Sequence, residues 1–90
     1  MTFGRPTKRS ITIAGHETSI SLEPMFWRAL EAAARVEAVP LNALVARIDV
    51  ERLETPGGAP NLTSAIRQWL WLRGSNDRRK DDDPGASTGL

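Results

Sequence analysis

The apolar period of this chain changes at Glu23-Pro24, and that change constrains the fold more than any other feature. Before it, Ile11 and Ile13 alternate with Ser10, Thr12 and Ala14, while Ile20 and Leu22 alternate with Ser19 and Ser21. Alternation rich in β-branched residues and bounded by turn formers is the pattern of a strand with one buried face. Gly15-His16 falls between the two runs and suits a tight turn. The segment is therefore either a hairpin or a single strand preceded by an extended arm.

After the change the period is helical. Pro24 is favoured in a first helical turn, where its missing N–H costs nothing. Phe26, Ala29, Leu30, Ala33 and Val36 then recur at helical spacing, with Arg28, Glu31, Arg35 and Glu37 facing elsewhere. Val39 precedes a proline and is pushed from helical angles, so the helix is expected to end near Ala38. Pro40 opens a second helix whose stripe is Leu41, Leu44, Val45, Ile48 and Arg52. The breaker-rich loop Thr55-Pro-Gly-Gly-Ala-Pro60 follows. Asn61 is a suitable N-cap for a third helix over 61–73. Its stripe is Leu62, Ala65, Ile66, Trp69 and Leu70, with Trp71 and Leu72 off that face.

Outside these elements the chain carries little apolar material. Residues 74–90, GSNDRRKDDDPGASTGL, offer only Leu90 as a sizeable apolar side chain and are expected to be disordered. Residues 1–7 read as a flexible basic arm. The domain proper is expected over 8–73. A 90-residue chain is one domain, and alone it buries only about 60–65% of its unfolded surface. It has no cysteine, so no disulfide reinforces so small a core. A second copy does so most simply. One short strand with two helices makes a poor core by itself. Pairing that strand antiparallel with its copy satisfies its exposed edge and lays four helices under one apolar face.

Catalysis is not expected. The single histidine, His16, sits in the expected turn, and its neighbour Glu17 points to the opposite face of a strand. Ser10, Ser19 and Ser21 lack a nucleophile-elbow context, and no glycine-rich loop joins a strand to a helix. No metal or cofactor is implied. No run approaches the roughly 18 apolar residues of a membrane helix, and no apolar targeting core follows the basic start. A soluble cytoplasmic protein is expected. Net charge is only +1, from 12 Lys+Arg against 11 Asp+Glu, so any nucleic-acid affinity depends on where charge is placed.

The string Lys8 to Trp27, KRSITIAGHETSISLEPMFW, together with the run Met25–Glu37 and the turn into Pro40-Leu-Asn-Ala-Leu-Val45, resembles the ribbon-helix-helix superfamily of Arc- and MetJ-type repressors. The likeness is closest to a bacterial subfamily with the pattern KRSxTIxGHxTSxSLExxFW, and the third helix looks like that subfamily's C-terminal extension. The resemblance implies an α+β fold and an intertwined homodimer whose β-ribbon enters the major groove of double-stranded DNA. Glu17, Ser19 and Ser21 would then face bases, while Thr18, Ile20 and Leu22 point into the core. The amides of Leu41 and Asn42, at the start of the second helix, would hold a phosphate. The dimer core would comprise Ile20, Leu22, Phe26, Leu30, Leu41, Leu44, Val45 and Ile48.

Two departures from the pattern bear on binding. Short hydroxyls and one acid stand where longer amide or basic side chains read bases more strongly. Pro40 stands where Ser or Thr is common, deleting a capping hydroxyl. The arm residues Arg5, Lys8 and Arg9 can compensate by holding phosphates. The expected function is that of a DNA-binding transcriptional regulator, a repressor type. The alternative is a dimeric, antitoxin-like adaptor that recruits a protein through Trp69, Trp71 and Leu72.

Overall fold

The computed structural model describes residues 4–82, with side chains through Ser75. Its elements are β1 (Thr7–Ile13), β2 (His16–Leu22), α1 (Pro24–Glu37), α2 (Leu41–Leu53) and α3 (Leu62–Asp82). The period-two segment is a hairpin within one chain, which resolves the choice between hairpin and arm. β1 and β2 pair antiparallel, with Ile13 opposite His16, Ile11 opposite Thr18, Arg9 opposite Ile20 and Thr7 opposite Leu22. The loop is Ala14-Gly15, with φ of +50° and +82°. Two successive positive φ values match the right-handed twist of the flanking strands.

The strand alternation matches its expected faces. Ile11, Ile13, Ile20 and Leu22 are buried, whereas Lys8, Ser10, Thr12, Glu17 and Ser19 are exposed. Helices cover only the first of these faces, α2 lying mainly against β1 while α1 and α3 lie against β2.

α1 starts at Pro24 as expected and ends at Ala38, which adopts left-handed angles; its N–H and that of Val39 bond back to the last turn. The buried stripe differs from expectation. Trp27, Leu30, Ala33 and Ala34 are inside, Phe26 is half-buried, Ala29 is exposed and Val36 is 73% exposed. The hairpin covers the side of α1 that carries Trp27, so the buried face is turned away from Ala29 and Val36.

α3 departs from expectation in both extent and role. It does not stop at Arg73 but runs on to Asp82, past Gly74. A single glycine costs a helix only about 1 kcal/mol relative to alanine, too little to end a helix that is already propagating. The disorder expected for 74–90 therefore does not apply to the backbone of 74–82, and the rest of that tail lies outside the described residues. Asn61 does cap α3, its Oδ1 accepting from the Ser64 N–H at 2.8 Å. Ala65 and Ile66 join the main core, Ile66 with no exposed surface.

That last contact bears on whether the core needs a partner. Ile20, Leu22, Leu30, Leu44, Val45 and Ile48, expected at a dimer core, are at most 2% exposed within the single chain. Phe26 and Leu41 pack on the same cluster half-buried. The chain supplies its own second strand and its own third helix, so burying these residues does not require a second copy.

Candidate nucleic-acid interface

The outward face of the hairpin carries three cross-strand pairs: Lys8 with Ser21, Ser10 with Ser19, and Thr12 with Glu17. These six residues share a face because each lies an odd number of positions from the inward-facing isoleucines. The two-residue loop makes Ile13 and His16 the first hydrogen-bonded pair. Backbone bonding within the hairpin therefore falls on the inward-facing residues, and the N–H and C=O groups of the outward six point to the two sheet edges. Among the described residues, β2 thus presents free donors and acceptors at Glu17, Ser19 and Ser21.

The expected phosphate-binding cations are not brought together. Lys8 faces outward, but Arg9 is on the helix side. Its guanidinium lies 4.6 Å from the Trp27 ring centroid, and its Nη1 is 3.5 Å from Glu31 Oε2. Strand alternation between positions 8 and 9 requires this separation. Arg5 is exposed in the segment before β1, next to Gly4. Gly4 lies against Pro24 so closely that a Cβ would meet its Cδ at 3.0 Å. Within the segment expected as a loose arm, Gly4 lies against the first residue of α1.

At the start of α2, Pro40 occupies the N-cap with φ −63° and ψ 155°, and no side chain caps the helix. The first intrahelical bond runs from the Leu44 N–H to the Pro40 carbonyl. The N–H groups of Leu41 and Asn42 therefore point out of the helix end with the positive end of its dipole, a geometry suited to an anion. Asn42 is exposed and Leu41 half-buried.

Ion pairs tie the β2–α1 link and the three helices together. Glu23, between β2 and α1, accepts from Arg67 of α3 at 2.9 Å. Glu37, at the end of α1, accepts from Arg47 and Arg73, each at 3.1 Å. Both carboxyls are held below their ordinary value of 4.5, Glu23 chiefly by the Arg67 bond and Glu37 chiefly by the Arg47 bond and then Arg73. Arg52 donates to Asp49 at 2.7 Å and to the Pro60 carbonyl at 3.2 Å, tying the α2–α3 loop down.

The three candidate protein-interface residues also separate. Trp69 packs on the core and lies under Arg73, 5.4 Å from guanidinium carbon to ring centroid. Trp71 and Leu72 are 66% and 61% exposed. The β1 face of Ser10 and Thr12 was not singled out from the sequence. Its signal is the period-two alternation of β1, which places both residues beside Lys8. Among the described residues no three His, Cys, Asp or Glu side chains cluster to hold a metal. No helix among them is long and apolar enough to cross a membrane.

A hairpin that feeds two helices through a left-handed turn, with its polar face uncovered and a bare helix N-terminus nearby, defines a ribbon-helix-helix module. The chain belongs to that family: the family model described as "Ribbon-helix-helix domain" matches residues 6–73. No curated protein matches the chain. Among solved structures it is similar to an uncharacterized protein from Bordetella pertussis Tohama I, at 30% identity and a TM-score of 0.69. The match covers 88% of this chain, which spans 62% of the length of that protein.

Proposed function

We propose that the chain is a DNA-binding transcriptional regulator of the repressor type, working in the cytoplasm as a homodimer. β2 pairs antiparallel with β2 of a second copy, and the ribbon docks in the major groove of double-stranded DNA. The observation that carries this reading is β2 itself: its outward face is polar and uncovered, and its free edge offers unpaired backbone groups. A two-fold axis through Ser19, the middle residue of β2, pairs all three free positions at once. Ser19 meets its copy, and Glu17 meets Ser21 of the second copy. Ser19, Ser21 and Glu17 then face the bases, with Glu17 able to accept from a cytosine amine. Leu41 and Asn42 amides hold a phosphate and fix orientation. No catalytic role and no cofactor belong to this reading.

Fluorescence anisotropy with mixed duplex DNA at two salt concentrations tests it, alongside light scattering for assembly. Salt-sensitive binding by a dimer supports the proposal. Absence of binding at low salt overturns the DNA reading, and a monomer at micromolar concentration overturns the dimer.

The exposure of Trp71 and Leu72 favours a second reading, a dimeric, antitoxin-like adaptor that recruits a protein through this part of α3. Trp69, half-buried against the core, adds only its remaining surface to that face. In that case DNA binding is absent and the Trp71-Leu72 face is protected when the partner binds.

A further inference from the structure

On the dimeric DNA-binding reading above, we propose that β1 is a phosphate-contacting strand. It forms the flank of a four-stranded sheet and sets Lys8, Ser10 and Thr12 against the sugar–phosphate backbones beside the groove that the two β2 strands occupy.

Lys8, Ser10 and Thr12 share the outward face with Ser21, Ser19 and Glu17, and they are exposed. Pairing through the free edge of β2 gives the strand order β1, β2, β2, β1, with a continuous polar face. Neighbouring strands lie about 4.8 Å apart, so the two β1 strands stand about 14 Å apart. The major groove is about 12 Å wide and admits a two-stranded ribbon. The central pair fits inside it. The flanking strands cannot enter beside that pair, and they come over the groove walls, which are phosphates.

The chemistry of the face divides in the same way. Its acid, Glu17, is on the central strand, turned to the groove floor. The flank holds one cation and two hydroxyls, all able to donate to phosphate oxygens, and no carboxylate. Arg5 is exposed just before β1, outside the paired register, and is not counted with this flank. Arg9 is excluded from it, since it is engaged with Trp27 and Glu31 on the opposite face. Lys8 therefore contributes one phosphate contact from each protomer, diagonally across the two-fold axis.

The full-length chain and three variants, Lys8→Ala, Ser10→Ala/Thr12→Ala and Ser19→Ala, are compared by anisotropy across a salt series. The duplexes are a random-sequence one and the tightest binder selected from a mixed pool. Thermal melts confirm that each variant folds. With about 0.9 counterion released per contact, Lys8→Ala is expected to lower the slope of log affinity against log salt by about 1.8 per dimer. It should weaken both duplexes by the same factor, as should the hydroxyl pair. Ser19→Ala should weaken the selected duplex more than the random one. An unchanged slope for Lys8→Ala, in a chain that binds DNA, overturns the flank assignment and leaves the DNA reading intact. A change of base preference in either β1 variant also overturns it, because it places β1 over bases. Failure of the unaltered chain to bind at low salt is instead the failure of the DNA reading itself.

Discussion

Arg9 lays its guanidinium over the indole ring of Trp27, 4.6 Å from the centroid, and Trp27 donates its Nε1 proton to the Thr7 carbonyl of the same strand at 2.8 Å. The two residues lock β1 to α1 from the helix side, and Trp27 is only 4% exposed there. Cation–π contacts contribute about 0.5–1 kcal/mol at partly exposed sites, so Arg9→Ala should lower unfolding stability by roughly that amount. Trp27→Phe also removes the donor to Thr7, at a cost of about 1–3 kcal/mol. Urea denaturation reads both. Arg9→Ala should leave the salt dependence of DNA binding unchanged. A loss of slope matching that of Lys8→Ala would show that Arg9 faces phosphate after all.

The hairpin turn makes a second prediction. Ala14 and Gly15 both have positive φ, and nothing lies within 4 Å of a Cβ built on Gly15. The strain of a substitution there is therefore conformational and not steric. Ala14→Asn should stabilise the chain by about 0.5–1 kcal/mol, because asparagine tolerates left-handed angles better than alanine. Gly15→Ala should destabilise it by about 1 kcal/mol or more. Opposite shifts of the melting midpoint are the expected result. Shifts of the same sign count against this turn geometry.

That turn also shows where legibility in the sequence ended. The alternation of Ile11, Ile13, Ile20 and Leu22 placed both strand faces correctly, because a period of two follows from the pleat alone. Ala14-Gly15 is a poor turn signal beside Asn-Gly or Asp-Gly, so hairpin and arm could not be separated locally. The same limit hid Arg9: an exposed-looking arm cation became, once β1 was a paired strand, an inward residue by parity with Ile11. For α1 the helix and its ends were readable, yet two adjacent apolar stripes competed. Only the position of the hairpin decided that Trp27 and Ala34 were covered and Val36 was not. Partner-free burial of Leu30, Leu44 and Val45 was illegible for a similar reason, since it depends on where α3 docks.

The docking of α3 is itself testable. Ile66 has no exposed surface and lies in the same cluster as Leu30, Leu44 and Val45. Truncating a buried isoleucine leaves a cavity and costs about 2–5 kcal/mol. Ile66→Ala should therefore shift a single cooperative urea transition to lower denaturant, monitored by tryptophan fluorescence and circular dichroism together. Two separated transitions, with the strand signal unaffected by the change, would make α3 an appendage and restore the need for a partner to cover the core.

Acid should weaken the fold through Glu23 and Glu37. Both carboxyls titrate below 4.5 in the folded chain because arginines donate to them, Arg67 to Glu23 and first Arg47, then Arg73, to Glu37. The unfolded chain then binds protons more readily than the folded one as pH falls through this range. Their contribution is fully present above the unfolded value and is lost as pH drops through the folded values. The urea midpoint should be level between about pH 7 and 5.5 and decline below about 4.5. A Glu23→Gln/Glu37→Gln variant should start lower at pH 7 and decline less. An equally steep decline in that variant assigns the acid sensitivity to other groups.

The tryptophans of α3 differ enough to be told apart by substitution. Trp69 packs against the core beneath Arg73, whereas Trp71, on the same helix, is 66% exposed. Trp69→Ala should cost about 1–3 kcal/mol, less than truncation of a fully buried aromatic, because Trp69 is half-buried. Trp71→Ala and Leu72→Ala should each stay within about 0.5 kcal/mol of the unaltered chain, as surface changes do. Equilibrium denaturation measures the contrast. Because Trp71→Ala/Leu72→Ala leaves the hairpin intact, the same double variant separates the two functional readings. A regulator that uses only the hairpin and the α2 amides keeps its DNA affinity in this variant. An adaptor that uses the α3 face loses its protein partner while its stability is unchanged. If the double variant unfolds the chain instead, the exposed face of α3 is part of the structural core and neither reading can use it as a docking surface.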